Sequence, residues 1–318
     1  MSMIGLGLSL AGKLLGKGKL SILIYHQVLE KPDPMRPDLP MAEKFDQQMA
    51  VLARYFTPIS LDQALHGLKS NALPDNAVCV TFDDGYSNNL TVAEPILRKH
   101  KIPATVYVAT AFSEGVNMWN DRVIYLFSDP KCNCLTLDGE EVALEDFAQR
   151  RHLAEFWLQK LKYQPVQERL AKIESLYRHN SLDEEPPLMM TPEQIRMLSD
   201  KGIAIGAHTV NHPILKVLSP EEQKWEIENS KAQLQDWTGS EIHHFAYPNG
   251  MLGKDLDEDT VEYVKQAGFH SAVVTNWGTS DHQTSPWLLK RFTPWDRNPS
   301  RFMARLVINQ IRGYGCHQ

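Results

Sequence analysis

The stretch Ala77–Tyr86 reads AVCVTFDDGY and joins an apolar run to two adjacent carboxylates. The run AVCVTF predicts a buried strand, because short apolar runs rich in β-branched residues are typical of strands. Asp83 and Asp84 follow this strand directly. Neighbouring carboxylates cannot point the same way, so one can bind a cation while the other stays free as a base. Taken alone, Asp-Asp-Gly is also typical of an ordinary turn.

On both sides of this stretch, short apolar runs alternate with helical patterns, which indicates an α/β fold with a parallel sheet or barrel. Further strands are predicted at Leu20–Tyr25, Ala104–Val108, Ile203–Ala207, His244–Tyr247 and Ser271–Thr275. Helices are predicted at Ala42–Tyr55, Leu61–Lys69, Asn89–His100, after the N-cap Thr191, from Ser219 to Trp237, and at Pro299–Ile311.

Residues 113–190 interrupt this alternation. They are polar, rich in helical pattern over Leu144–Leu176, and end in the loop DEEPPLMM, with no clear strand. We interpret them as a helical insertion within a single barrel domain that spans residues 1–318.

The string His208–Pro213, HTVNHP, also follows a predicted strand. Two imidazoles four residues apart suit a metal in the manner of zinc hydrolases. The string differs from the helical HExxH signature, because glutamate is absent and Pro213 disfavours helix at His212. A histidine pair at this spacing is also common on surfaces that bind nothing.

A third string, Phe245–Gly250 or FAYPNG, again ends a strand and by itself indicates a turn. The combination is more specific than its parts. Active sites of α/β barrels lie at the carboxyl ends of the strands, where all three strings fall. Two histidines with one carboxylate form a three-ligand site with room for water, as in open catalytic metal sites.

TFDDG, HTVNHP and the Pro-containing turn, in this order, resemble the first three motifs of the NodB-type polysaccharide deacetylases, carbohydrate esterase family 4. The resemblance extends from Leu20 to the final helix, apart from the insertion. It implies a distorted (β/α) barrel of about seven strands. It also implies a divalent metal, commonly Zn²⁺, a glycan substrate, and removal of N-acetyl groups from an amino-sugar polysaccharide or glycan precursor.

Carried over by position, Asp83 resembles the catalytic base, and Asp84, His208 and His212 resemble the metal ligands. The residue after the motif-three proline, here Asn249, would stabilise an oxyanion through its backbone N–H.

This chain departs from the family pattern at the arginine that orients the base, because Ala246 stands at its motif-three position. Arg291, in LLKRFTPW, is the candidate to replace that arginine from a neighbouring strand. A surface cation is the equal alternative for Arg291.

The C-terminal Leu-x-His motif, which supplies the family's general acid, is also missing. His26, in LIYHQV at the end of the first predicted strand, resembles the early histidine of an exopolysaccharide deacetylase subgroup. The alternative is a strand-end histidine satisfied by a backbone partner. Trp119–Arg122, WNDR, also resembles this subgroup but suggests no role.

The net charge and the N-terminal sequence bear on the binding partners and on the cellular compartment. The 33 Lys plus Arg against 39 Asp plus Glu give a net charge of −6, which argues against nucleic acid. The first 20 residues lack the basic segment of a secretory signal. We therefore expect a cytoplasmic enzyme. The Leu and Lys content of these residues would let them lie weakly on a membrane surface, although a frayed terminus is commoner.

Two alternatives to a polysaccharide deacetylase stay open. A relative on the same barrel could hydrolyse a non-sugar amide or ureide in a compact polar pocket. A relative without catalysis could bind carbohydrate, although binding alone has no use for the free base Asp83.

Overall fold

The computed structural model describes residues 16–183, 186–294, 296 and 298–312, together with Gly7 and Gly12. Strands of the main sheet are β1 (Ser21–Tyr25), β2 (Thr57–Pro58), β3 (Ala77–Phe82), β4 (Ala104–Val108), β7 (Ala204–Ala207), β8 (His244–Ala246), β9 (Ser271–Trp277) and β10 (Leu289–Arg291). A separate two-stranded sheet contains β5 (Cys134–Leu137) and β6 (Glu140–Ala143). The α-helices are α1 (Ala42–Tyr55), α2 (Leu61–Lys69), α3 (Glu94–His100), α4 (Trp119–Tyr125), α5 (Phe147–Leu161), α6 (Val166–His179), α7 (Pro192–Asp200), α8 (Pro220–Thr238), α9 (Glu258–Gln266) and α10 (Pro299–Arg312).

The main sheet is parallel and nearly closes on itself. Its strands follow the order β1-β3-β4-β7-β8-β9-β10, with β2 paired to the start of β3. Closure comes from Phe292, directly after β10, which forms a parallel bridge with Leu23. The Phe292 N–H donates to the carbonyl of Ile22 (2.8 Å), and the Ile24 N–H donates to the carbonyl of Phe292 (3.1 Å). The predicted distorted (β/α) barrel is therefore confirmed.

Most predicted elements lie where the sequence placed them, and the differences are local. The helix expected over Asn89–His100 begins as a π-helix, Asn89–Ala93, before α3. Strand β10 was not predicted, because its three residues, LKR, contain two cations and no apolar run. Thr191 caps α7 and Ser219 caps α8, and both helices begin with a complete capping box.

The expectation that residues 113–190 lack a strand is wrong. Strands β5 and β6 form an antiparallel hairpin around Asp138 and Gly139, both of which have positive φ. An Asp-Gly pair between strand-forming residues is typical of such a two-residue turn. The hairpin packs with α4, α5 and α6 around a hydrophobic cluster of its own. Its members include Trp119, Val123, Phe127, Leu135, Trp157, Leu161, Ile173 and Tyr177.

The suggested membrane-surface segment, residues 1–20, lies mostly outside the described residues. Within the described part, no helix combines the length and the apolar character needed to cross a bilayer.

Candidate active site

Asp84, His208 and His212 converge on one point at the carboxyl end of the barrel strands. Their ligand atoms all lie within 4.8 Å of one another. Asp84 Oδ1 is 3.5 Å from the Nε2 atom of each histidine. Ligands held about 2.0–2.1 Å from a tetrahedral Zn²⁺ lie about 3.3 Å apart, so these spacings need little adjustment. The structure thus brings together the three side chains that the resemblance assigned to the metal.

The donor atoms also fit a cation chemically. His208 Nδ1 lies 2.7 Å from the carbonyl of Ala246, which fixes the Nδ1–H tautomer and leaves the Nε2 lone pair facing Asp84. Asp84 Oδ1 is buried and has no hydrogen-bond donor within the described chain. Burial, followed by the charge of Asp83, raises the pKa of Asp84 well above its usual range. A divalent cation would reverse this penalty by stabilising the carboxylate.

The loop between the two histidines is held by a glutamate of α8, a helix that packs on the outside of the sheet. Glu226 of α8 is buried, and its Oε2 atom accepts hydrogen bonds from the N–H groups of Val210 and Asn211, both at 2.8 Å. Thr209 and His212 have positive φ values of 66° and 51°. Residues in this region of φ are strained and persist only where their surroundings fix them, so Glu226 helps to fix the ligand loop.

Asp83 lies beside the convergent ligands but binds a different partner. Arg291 Nη1 donates to Asp83 Oδ1 at 2.6 Å, and Arg291 Nη2 donates to Oδ2 at 2.7 Å. Arg291 is fully buried, so the alternative of a surface cation is wrong. Burial, the largest single influence, would raise the pKa of Asp83, but the charges of Arg291 and His208 and the hydrogen bonds from Arg291 together outweigh it and lower that pKa to about 2. Asp83 is therefore ionised at any physiological pH.

A small residue and an aromatic ring make room for this ion pair inside the barrel. The Arg291 guanidinium lies 5.8 Å from the ring centre of Tyr107, which is fully buried. A Cβ atom at Gly206 would lie 2.4 Å from the Tyr107 ring, so only glycine fits in β7 at this position. The barrel interior is shaped around the arginine that binds Asp83.

His26 lies next to Asp83 across the β1–β3 ladder. Tyr25 pairs with Phe82, and the Asp83 N–H donates to the Tyr25 carbonyl at 2.9 Å. The His26 ring lines a cavity of about 510 Å³ between the strand ends and the insertion. It is open to that cavity, yet the protein packed around it lowers its pKa through desolvation, which outweighs the opposing charge of Asp83. No hydrogen bond to the ring occurs within the described residues, contrary to the alternative of a satisfied strand-end histidine.

Asn249 sits in the tight turn after β8. Its φ of 58° is positive, and its carbonyl accepts a hydrogen bond from Thr275 Oγ1 at 2.5 Å. Its backbone N–H has no acceptor in the described part of the chain, which leaves a donor free at the end of the barrel where Asp84, His208 and His212 converge.

Comparisons with known proteins place the chain in a family. The sequence model described as Polysaccharide deacetylase matches residues 70–272. The chain belongs to the polysaccharide deacetylase family. It is therefore a hydrolase of this family. His26 and Arg291 lie outside the matched range, whereas the three motif strings lie within it.

Individual relatives of the family are distant in sequence. The chain is 21% identical over 275 residues to "Putative polysaccharide deacetylase YxkH" of Bacillus subtilis (strain 168), covering 86% of this chain and 70% of that protein. The deacetylase PplD of Streptococcus pyogenes, solved in complex with acetate, has a TM-score of 0.59 and 21% identity over 86% of this chain and 92% of its own. IcaB from Ammonifex degensii has a TM-score of 0.60 and 19% identity over 92% and 97%. At these identities the structural likeness establishes the fold.

Sequence reasoning missed a polar network that ties the insertion to the site. Asp121 is buried in α4 and accepts hydrogen bonds from Tyr86 Oη (2.7 Å) and Arg36 Nη2 (2.6 Å). Tyr86 is two residues from Asp84, so the network anchors α4 beside the turn that carries Asp84. The WNDR string includes Asp121, but the sequence alone does not indicate which residues would pair with this aspartate. Glu226 had no local signal, because it lies in a long helix among exposed charges.

Proposed function

We propose that this chain is a metal-dependent deacetylase, with Zn²⁺ as the fitting metal, that removes N-acetyl groups from an amino-sugar glycan. One observation carries the proposal: the convergence of Asp84, His208 and His212 beside a carboxylate that a buried arginine keeps ionised. Two imidazoles and one carboxylate with an open fourth position are typical of catalytic zinc sites. An ionised neighbour that is not a ligand is what a hydrolase needs as its base.

Each residue then has a separate task. When bound, the metal polarises the acetamide carbonyl and lowers the pKa of water. Asp83 accepts the proton of the attacking water, and Arg291 orients Asp83. A carboxylate with a pKa of about 2 is always available but weakly basic, so it suits a water that has already been made more acidic.

Two further groups, the backbone N–H of Asn249 and the ring of His26, would assist the oxyanion and the leaving amine. The free N–H of Asn249 would donate to the oxyanion that forms on the acetyl carbonyl. His26 would give a proton to the departing amine, because an amide nitrogen leaves poorly until it is protonated. The cavity that His26 lines would then receive the sugar that carries this amine.

Acetate release from N-acetylated oligosaccharides tests the proposal, with non-sugar amides and ureides in the same panel. Wild-type protein loaded with Zn²⁺ should release acetate, and a chelator should abolish release. Asp83→Asn should keep the metal yet lower turnover by about 10²–10⁴-fold, whereas Asp84→Ala should lose the metal and activity together. Preferential cleavage of a non-sugar amide, or metal retention by Asp84→Ala, would contradict the proposal.

A further inference from the structure

A cavity of about 610 Å³ lies between the insertion and α8, separate from the cavity that His26 lines. Tyr163, Val166 and Gln167 line it from the insertion, around the start of α6. Val217 and Trp225 line it from α8 and from the turn before that helix. We call this cavity the insertion groove. None of these five side chains contributes to the metal centre, so the chemistry at the metal does not explain the groove.

The groove gathers apolar side chains that a folded protein usually hides. Trp225 is 50% exposed, Tyr163 is 47% exposed and Val217 is 62% exposed. Single exposed apolar residues are common on protein surfaces, but several around one concave site indicate a place where a ligand binds. The His26 cavity differs, because the only Phe, Tyr or Trp among its described lining residues is Tyr25, which is buried.

Trp225 is the best placed of these rings to take a ligand. No aromatic ring or cation lies against it within the described chain, so its face is available. The Tyr163 ring, in contrast, has Lys162 and Lys254 at 5.9 Å and 6.0 Å from its centre. An indole that is half in water suits a partner with one apolar face and polar edges, as a pyranose ring has.

The polar lining of the groove excludes an anion as its ligand. Gln167 is exposed, and its amide offers both donors and an acceptor to hydroxyl groups. Glu222 and Glu226 supply carboxylates, and neither Lys nor Arg lies among the described lining residues. A phosphate or an acidic sugar would meet like charge here. A neutral sugar or an amino sugar fits the combination of an aromatic face with hydroxyl-binding groups.

The groove is continuous with the loop that carries the metal-binding histidines. Asn211 lines it and directly precedes His212. The Asn211 N–H donates to Glu226 Oε2 and its side-chain amide donates to Glu226 Oε1, both at 2.8 Å. Because Glu226 lines the groove as well, a ligand there would contact the pair of residues that fixes the loop.

The strand order puts the metal ligands between the two cavities. In the order β1-β3-β4-β7, His26 follows β1, Asp84 follows β3 and His208 follows β7. The His26 cavity therefore adjoins the ligands from the β1 side, and the insertion groove adjoins them from the β7 side. A linear glycan that lies across this end of the barrel would reach both.

We propose that the insertion groove is a second sugar-binding subsite, in which Trp225 stacks on a neutral or amino sugar further along the glycan than the N-acetyl group being removed. Gln167 donates to and accepts from the hydroxyl groups of that sugar. The proposal rests on the proposed deacetylation and narrows its substrate to oligosaccharides and polymers. The insertion thereby becomes a determinant of chain-length preference.

Acetate release from N-acetylglucosamine and from its β-linked oligomers tests this preference. The quantity compared is the ratio of kcat/KM for an oligomer to kcat/KM for the monosaccharide. Trp225→Ala should lower this ratio about tenfold, because it removes the stacking platform. Trp225→Leu keeps the apolar volume without the ring and should behave like Trp225→Ala, whereas Trp225→Phe should stay close to wild type. Phe156→Ala is the matched control, since Phe156 is a 57% exposed aromatic residue of the insertion that lies outside the groove.

Binding of the same oligomers to zinc-loaded Asp83→Asn, followed by calorimetry, tests the subsite without turnover. Adding Trp225→Ala to this variant should weaken oligomer binding about tenfold, and adding Phe156→Ala should not. Unchanged oligomer affinity together with an unchanged kcat/KM ratio in Trp225→Ala and Trp225→Leu would overturn the proposal. Zinc content and thermal midpoint should match wild type in each Trp225 variant, because the side chain is half exposed.

The two proposals can fail separately. If wild type released no acetate from any glycan, the proposed function would fail, but the calorimetric comparison would still decide whether Trp225 binds a sugar. If wild type cleaved the monosaccharide and the oligomers equally well and Asp83→Asn bound them equally, deacetylation would stand and the second subsite would be wrong.

Discussion

Arg291 and Asp83 form a buried ion pair with two hydrogen bonds, and its loss should be visible in stability. We expect Arg291→Met to lower the free energy of unfolding by about 3–5 kcal/mol at pH 7, because it leaves a buried carboxylate without its partner. Urea unfolding of the metal-free protein measures this change. Arg196→Met, at an exposed position in α7, is the control and should change stability little.

The pH dependence of that loss has a definite sign. In wild type the folded pKa of Asp83, about 2, is below its unfolded value of about 3.9. The ion pair therefore stabilises the fold above pH 3.9, and this contribution falls as the pH drops toward 2. Without Arg291, burial raises the pKa instead, so protonation relieves the penalty. The deficit of Arg291→Met should shrink between pH 7 and pH 4, and a constant deficit would argue against this account.

His26 permits a test that separates proton donation from binding. His26→Ala should retain zinc and lose turnover on acetamides, because their amine leaves only after protonation. An activated acetyl ester, whose leaving group needs no proton, should be affected much less. Parallel kcat measurements on both substrates decide the matter. Equal losses would show that His26 positions the substrate or supports the fold.

At the scale of elements, the turn after β3 depends on Gly85. Its φ is +90°, and a Cβ atom there would lie 3.0 Å from Val108 Cγ1. Gly202 is a matched control, since its φ is +87° and a Cβ atom would meet nothing within 4 Å. Gly202→Ala should cost about 1–2 kcal/mol of backbone strain alone. Gly85→Ala should cost more and also weaken zinc binding, because its neighbour Asp84 must move. Urea unfolding and zinc titration of both variants compare the two effects.

The sequence predicts most of these elements, because each strand that carries a motif has an apolar run. Each long helix has an N-cap residue or apolar residues at helical spacing. It does not predict β10, because its three residues contain two cations, although they pair with β9 and the following Phe292 bridges to Leu23 of β1. For the same reason the sequence suggests Arg291 as the arginine that orients the base, but it does not predict that its side chain meets Asp83 inside the barrel. Glu226 was missed altogether, since a charged residue in a charged helix signals its burial only after the helices pack.

At the scale of the whole molecule, metal binding should stabilise the fold by mass action. Zn²⁺ at 100 times its Kd should add about 2.7 kcal/mol to the free energy of unfolding. The thermal midpoint should therefore rise with zinc and fall with a chelator. His26→Ala should show the same rise as wild type, and Asp84→Ala should show none. A similar rise in Asp84→Ala would indicate that the stabilising zinc binds elsewhere.

The closure of the barrel by its first and last strands has a consequence for how the protein is made. Asp83 and Arg291 are 208 residues apart along the chain, and His26, directly after β1, precedes both of them. Domains emerge N-terminal end first, and contacts between distant segments are slow to form. The nascent chain must carry the future base without its arginine until β10 has been synthesised. Activity is therefore acquired only after β10 has been synthesised, so the barrel topology itself delays catalysis until that strand is in place.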